Sequence, residues 1–131
     1  MKKIAVPRET PDTAAAVSVG RHGEQLALEY LRGLGWDILD THWCHRLGEI
    51  DIIARDGNCH VLVEVKTRRS AHAGHPCEAV TRQKLKTLRS LAVTWMVTQP
   101  YWVAEIRIDV IGISLAVTPP DITHMRNVCP S

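Results

Sequence analysis

The sequence predicts an α/β domain, a mixed β-sheet flanked by helices. Three observations carry this. A stretch of helical periodicity near the N-terminus ends at a glycine, two β-rich runs flank a turn signal at residues 55–58, and a second helical stripe leads into an alternating apolar strand. The length of 131 residues suits one domain.

Taken in order, residues 1–19 contain Pro7, Pro11 and the small run Ala14 to Ala16, and read as a flexible N-terminal arm ahead of one domain over 20–131. From about His22 to Leu34, the residues Leu26, Ala27, Tyr30, Leu31 and Leu34 form one face of period 3.6, and Gly35 stands where a helix C-terminal glycine belongs. "WDILDTHW" reads as a strand with Trp36, Ile38 and Leu39 as core residues. Residues 48–67 read as an antiparallel hairpin about "RDGN". "SAHAGHP" is a loop, and Thr81 is placed to cap the next helix, whose buried stripe is Leu85, Leu88, Leu91, Ala92, Trp95 and Met96. "WVAEIRIDVIGI" alternates through Ile106, Ile108 and Val110 as a fourth strand. The tail from Pro119 is irregular, with Ile122 and Met125 able to tuck one turn against the body.

Composition excludes several classes. Hydrophobic residues are 45% and charged residues 23% of the chain, an ordinary globular balance. The formal net charge of +2 permits a polyanionic partner without demanding one. No apolar run approaches the roughly 20 residues of a membrane span, and "MKKIAVPRET" has no apolar core of a signal peptide behind its basic start. Four cysteines without C-x-x-C spacing fit reduced thiols, so a cytoplasmic protein is expected. The histidines His42, His45, His60, His72 and His75 with Cys44, Cys59 and Cys77 match no common zinc spacing.

The hairpin carries the chemistry. A two-residue turn at Asp56–Gly57 would set Arg55 opposite Asn58, Asp51 opposite Leu62 and Glu49 opposite Glu64. One face then carries Ile50, Ile52, Val61, Val63 and Val65; the other carries Glu49, Asp51, Ile53, His60, Leu62, Glu64 and Lys66. Facing carboxylates on a partly covered sheet repel and lose hydration, so a compensating cation is expected. Oxygen donors favour Mg²⁺ or Mn²⁺. Asp51 and Glu64, with the Val65 carbonyl, are the candidate metal ligands, and Glu24 on the first helix is placed to join them. Such a cation would orient a phosphate and activate water, while Lys66 stabilises the developing charge. His60 shares the charged face but lies near the turn. Asp109 reads as a structural partner of Arg107, and Arg68, Arg69, Arg82, Lys84, Lys86 and Arg89 as a phosphate-tracking patch.

"GRHGEQLALEYLRGLGWDIL" followed by "RLGEIDIIARDGNCHVLVEVKTRR" resembles the YraN-like family of bacterial proteins. That family is similar to the restriction-endonuclease-like PD-(D/E)xK superfamily and, in pattern, to archaeal Holliday-junction resolvases. The resemblance covers about residues 18–128; "RIDV" and "ITHMRN" also look like family features. It implies a restriction-endonuclease-like core and a metal-dependent endonuclease acting on DNA, with branched or recombination structures among its substrates. Glu24, Asp51, Glu64 and Lys66 are the implied catalytic set, Glu49 and Gln83 additional candidates, Mg²⁺ or Mn²⁺ the cofactor, and a homodimer the implied assembly. The alternative is a non-catalytic nucleic-acid-binding module that retains the fold. Two departures stand out: His42 and Cys44 occupy positions where similar proteins often carry Asn and Arg, and Ile50 replaces the superfamily's proline before the aspartate.

Overall fold

A computed structural model describes residues 11–70, 74, 77 and 80–128, with side chains from residue 18 onward. Residues 1–10 of the expected arm, and His72, His75 and Cys129, lie outside the described residues. The elements are α1 (Pro11–Gly33), β1 (Asp37–His45), β2 (Gly48–Asp56), β3 (Cys59–Arg68), α2 (Arg82–Thr98), β4 (Glu105–Ser114) and β5 (Asp121–Met125). They form one five-stranded mixed sheet in the order β1-β2-β3-β4-β5 with a helix on each face, consistent with a restriction-endonuclease-like core. Only β3 and β4 run parallel, because α2 carries the chain back between them; the other neighbours are antiparallel.

The first helix starts earlier than its apolar stripe suggests. Residues 11–19, read as loose arm, are helical. Its last turn closes where expected, with the Gly35 N–H donating to the Arg32 carbonyl at 2.9 Å. Ala27 and Leu31 pack with Trp36, Ile52, Ala54, Val61, Val63, Ile111 and Ile113 on one face of the sheet. On the other face Leu88, Leu91, Ala92 and Trp95 of α2 pack with Ile50, Ile53, Leu62, Val103 and Ile108; Leu85 and Met96 lie at the margin. Thr81 caps α2 as expected, its hydroxyl accepting from the Lys84 N–H at 3.1 Å.

Three expectations need correction. The tail is not a single turn: Asp121–Met125 forms β5 along β4, with Ile122 packed against the α1-side core. Leu39 is exposed, because the register of β1 shifts between Ile38 and Asp40. The hairpin turn is Gly57–Asn58, since Asp56 pairs with Cys59. Gly57 takes φ 60° at the first loop position, which a turn at Asp56–Gly57 would have demanded of an aspartate. The two-residue slip preserves which side chains share a face. It moves Asp51 toward Glu64, where the expected register had put Glu49.

The ladder between β2 and β3 runs from Asp56↔Cys59 to Ile52↔Val63. Beyond that, β2 follows β1 to Gly48↔His45 and β3 follows β4 to Arg68↔Ser114, so the strands part into a fork. At its root the expected face pattern breaks: Ile50 packs in the α2-side core while Ile52 packs in the α1-side core. Between the pairs Thr41↔Ile52 and Trp43↔Ile50 stands His42, with φ 52°.

Candidate metal and phosphate site

The fork holds a cavity of about 650 Å³ lined by Val19, Gly20, Glu24, Glu49, Asp51, Glu64, Val65, Lys66, Thr67, Arg68, Arg69, Ser70 and Lys84. Strand separation explains how its side chains are held. Where pairing stops, backbone donors need new acceptors. The Asp51 carboxylate takes one, accepting from the Val65 N–H at 2.9 Å. This anchors Asp51 on β2 to the residue following Glu64 on β3.

Glu64 is the most buried of the site's carboxylates, with its side chain 4% exposed. Its Oε1 faces two ammonium groups, Lys66 Nζ at 3.3 Å and Lys84 Nζ at 3.5 Å. Its Oε2 is buried with no hydrogen-bond partner among the described residues. Burial pushes the Glu64 carboxyl above its ordinary range, and the neighbouring Asp51 charge pushes the same way against the two lysines. Asp51 is also raised, chiefly by burial, with the Val65 hydrogen bond opposing. A second orphan lies on the same cavity wall: Arg68 Nε is buried without an acceptor.

Glu24 and Glu49 approach from α1 and β2 and are bridged by one side chain. His42 Nε2 lies 2.7 Å from Glu24 Oε2 and His42 Nδ1 lies 2.5 Å from Glu49 Oε1. The hydrogen bond to Glu49 raises the imidazole above its ordinary value, aided by the charges of both carboxylates against burial. Burial raises Glu24, with His42 opposing.

Of the anticipated site residues, Glu24, Glu49, Asp51, Glu64, Val65 and Lys66 all line this cavity, as do Arg68, Arg69 and Lys84. Gln83 does not. It faces a separate small groove with Leu47, Lys86, Thr87 and Ser90. One residue along a helix turns the side chain by about 100°, so Lys84 reaches Glu64 and Gln83 points elsewhere. Lys84 is thus part of the charge cluster rather than only a member of an outer basic patch. Arg82 and Lys86 remain exposed on α2. His60 is remote, packed between Trp95 and Tyr101 with ring centroids 5.5 and 5.7 Å away. His42 was missed as a site residue; its sequence signal was its departure from the pattern before "GEID". Among the described residues, no three His, Cys, Asp or Glu side chains converge to hold a metal ion.

The residues present nonetheless fit a hard divalent cation. Mg²⁺ usually takes one or two carboxylates and keeps several waters, so it does not need an all-protein cage. Two adjacent carboxylates, one with an orphaned oxygen, satisfy that requirement.

Asp109 supplies a contrast and carries the structural role expected of it. It is fully buried, and its oxygens meet Arg107 Nε at 3.0 Å, His124 Nε2 at 2.7 Å and the Asn127 N–H at 2.9 Å. These hydrogen bonds, led by that of His124, outweigh burial and hold its pKa below the ordinary value. His124 continues to the Tyr30 hydroxyl at 3.0 Å, tying β5 to α1.

A profile of the uncharacterised protein family UPF0102 matches residues 23–113, which include Glu24, the fork and Lys84. Relatives named as UPF0102 proteins are similar to most of the chain. One from Mycolicibacterium vanbaalenii is 42% identical over 117 residues, covering 88% of this chain and 97% of its own. Others come from Rhodococcus opacus (43% identical, covering 85% of this chain and 95% of its own) and Renibacterium salmoninarum (41%, covering 86% and 96%). No helix among the described residues is long and apolar enough to cross a membrane.

Proposed function

The chain belongs to the UPF0102, or YraN-like, family, and we propose that it is a metal-dependent endonuclease hydrolysing DNA phosphodiester bonds, with branched structures among its substrates. One observation carries the reading. Asp51 and Glu64 lie together in the fork with both carboxyls destabilised as anions, and Glu64 Oε2 has no partner. A fold retains such an arrangement at a cost unless a ligand relieves it.

Asp51 and Glu64, with the Val65 carbonyl, would hold Mg²⁺ or Mn²⁺. When bound, the ion supplies Lewis-acid polarisation of the phosphate and acidifies water. The chain's own groups do the rest. Lys66 and Lys84 favour the charged form of Glu64 against its burial and present cationic donors toward a phosphate that gains charge in the transition state. Arg68, with its free Nε–H, and the exposed Arg69 orient the nucleic-acid backbone on the same wall. Arg82 and Lys86, exposed on α2 and outside the cavity lining, would contact the nucleic-acid backbone further out.

The alternative, a nucleic-acid-binding module without catalysis, draws on the lack of a three-ligand cluster among the described residues. A cleavage panel separates the two: linear duplex, single strand, flap, fork and four-way junction, with Mg²⁺ or Mn²⁺ against EDTA. Metal-dependent cutting that Lys66→Ala protein loses is the expected result. Binding without cutting, and no effect of metal on melting, would establish the module instead.

A further inference from the structure

We propose that His42 restricts the site to one divalent cation by occupying the place a second would take. The inference rests on the metal-dependent reading above and adds the number of ions and the residue that sets it.

Among the described residues four carboxylates line the cavity, Glu24, Glu49, Asp51 and Glu64, which is a donor supply sufficient for a two-ion phosphodiesterase centre. They are not equally available. Asp51 and Glu64 adjoin each other in the fork, and the orphaned Glu64 Oε2 belongs to that pair. Glu24 and Glu49 stand on opposite sides of one imidazole, each with an oxygen held by a ring nitrogen, at 2.7 and 2.5 Å. An ion bridging these two carboxylates would need an oxygen of each at about 2.0–2.1 Å for Mg²⁺. The ring fills that space and engages those oxygens.

The backbone supports this as a placed residue rather than a passing contact. His42 has φ 52°, in the left-handed region that a non-glycine residue rarely adopts. Its side chain is 53% exposed, so apolar burial does not account for its position. It stands in β1 where the paired strands exchange faces, at the root of the fork. Its two contacts reach α1 and β2, joining the helix that carries Glu24 to the strand that carries Asp51. His42 is a positioning residue in this scheme, since it acts through Glu24 and Glu49 and not on the phosphate.

The test counts ions directly. Mn²⁺ is titrated into the full chain at fixed pH, and free Mn²⁺ is read by electron paramagnetic resonance. Wild type, His42→Asn, His42→Gly and Glu64→Gln are compared, with circular dichroism to confirm folding. Asparagine and glycine both tolerate the left-handed backbone, and neither can span two carboxylates. Wild type should bind one ion per chain, and both His42 variants should bind a second, weaker one. Glu49→Gln added to His42→Asn should return the count to one. Two ions on wild type, or one on both folded His42 variants, overturns the assignment while the nuclease reading stands. Loss of the first ion in both His42 variants also overturns it, since His42 would then be a ligand itself. No Mn²⁺ on wild type defeats this inference and the metal-dependent reading together.

Discussion

Replacing Gly23 by alanine should destabilise the protein, although the same change elsewhere in an exposed helix would stabilise it. Alanine is favoured over glycine inside a helix by about 0.5–1 kcal/mol. Gly23, however, lies where α1 crosses Thr67 of β3. A Cβ there would stand 1.8 Å from Thr67 Oγ1, 2.8 Å from its Cβ and 2.9 Å from its Cγ2. Rotating the threonine can move Oγ1 away. It cannot move Thr67 Cβ, and ordinary contact begins at 3.4 Å, so 3.4 − 2.8 leaves at least 0.6 Å to be found by shifting helix or strand. Overpacking of that kind costs about 1–3 kcal/mol. With the helix gain subtracted, Gly23→Ala should lower stability by about 1 kcal/mol, and by no more than about 2.5 kcal/mol. Gly20, one turn earlier with nothing within 4 Å, is the control, and Gly20→Ala should gain about 0.5–1 kcal/mol. Urea unfolding of both variants measures this, and Thr67→Gly in the Gly23→Ala background should recover the loss as a favourable coupling in a double-mutant cycle. Gly23→Ala as stable as Gly20→Ala would refute the reasoning, because α1 would not then rest on Thr67 as closely as the geometry requires.

Glu64→Gln should raise the melting temperature at neutral pH. The folded-state pKa of Glu64 is raised, so its charged form opposes folding; stability is full below the unfolded pKa and is lost as pH rises through the folded one. The advantage of the variant over wild type should therefore shrink as melting is repeated toward acid, and a constant or reversed difference would exclude this origin. Asp109→Ala should cost about 3 kcal/mol by chemical denaturation, because it leaves part-buried Arg107, which keeps its contact to Asp56, and the His124 side chain without their shared partner. The sign at Asp109 is opposite: its pKa is lowered, so its contribution is present above the unfolded pKa and lost as pH falls through the folded one, and only wild type should show that acid loss. Lys84→Met should slow cutting by about a hundredfold and move the acid limb of the pH–rate profile upward, since Lys84 helps keep Glu64 ionised; an unmoved limb would place Lys84 outside the site's electrostatics.

Periodicity made both helices, the hairpin and β4 legible in the sequence, because each buries an apolar stripe whose period differs between helix and strand. Asp51, Glu64 and Lys66 were legible for the opposite reason, as charges set where apolar residues are cheaper. What was hidden depended on geometry that spacing does not carry. The turn at Gly57–Asn58 differs from one at Asp56–Gly57 in which residue must adopt a positive φ and in a two-residue slip of register, and the two choices preserve the same faces. β5 is short and held by pairing with β4 and by His124, a long-range contact. Residues 11–19 lack an apolar stripe like that of residues 26–34, so the start of α1 did not stand out. Lys84 and Gln83 are equally plausible from sequence; the rotation of α2 over the sheet decides between them.

The two ionic clusters on this sheet show why the fork, and not the Asp109 network, is the place to expect a ligand. Asp109 and Glu64 are buried and Asp51 partly so, and burial is the largest influence against the charged form of each. At Asp109, Arg107, His124 and the Asn127 N–H together overcome it, and the carboxyl is more acidic than usual. Such a site has no remaining demand and serves to tie β4, β5 and α1 together. In the fork, two lysines and one backbone N–H do not overcome it, and Asp51 and Glu64 both remain less acidic than usual. Substituting a neutral residue there should aid folding, whereas the same substitution at Asp109 should harm it. The fork keeps the unfavourable arrangement beside an unpartnered carboxylate oxygen, the atom type that suits a cation, and an unpartnered guanidinium nitrogen, the atom type that suits an anion. The proposed metal ion together with a phosphate would answer both at once, and either alone would leave one unmet.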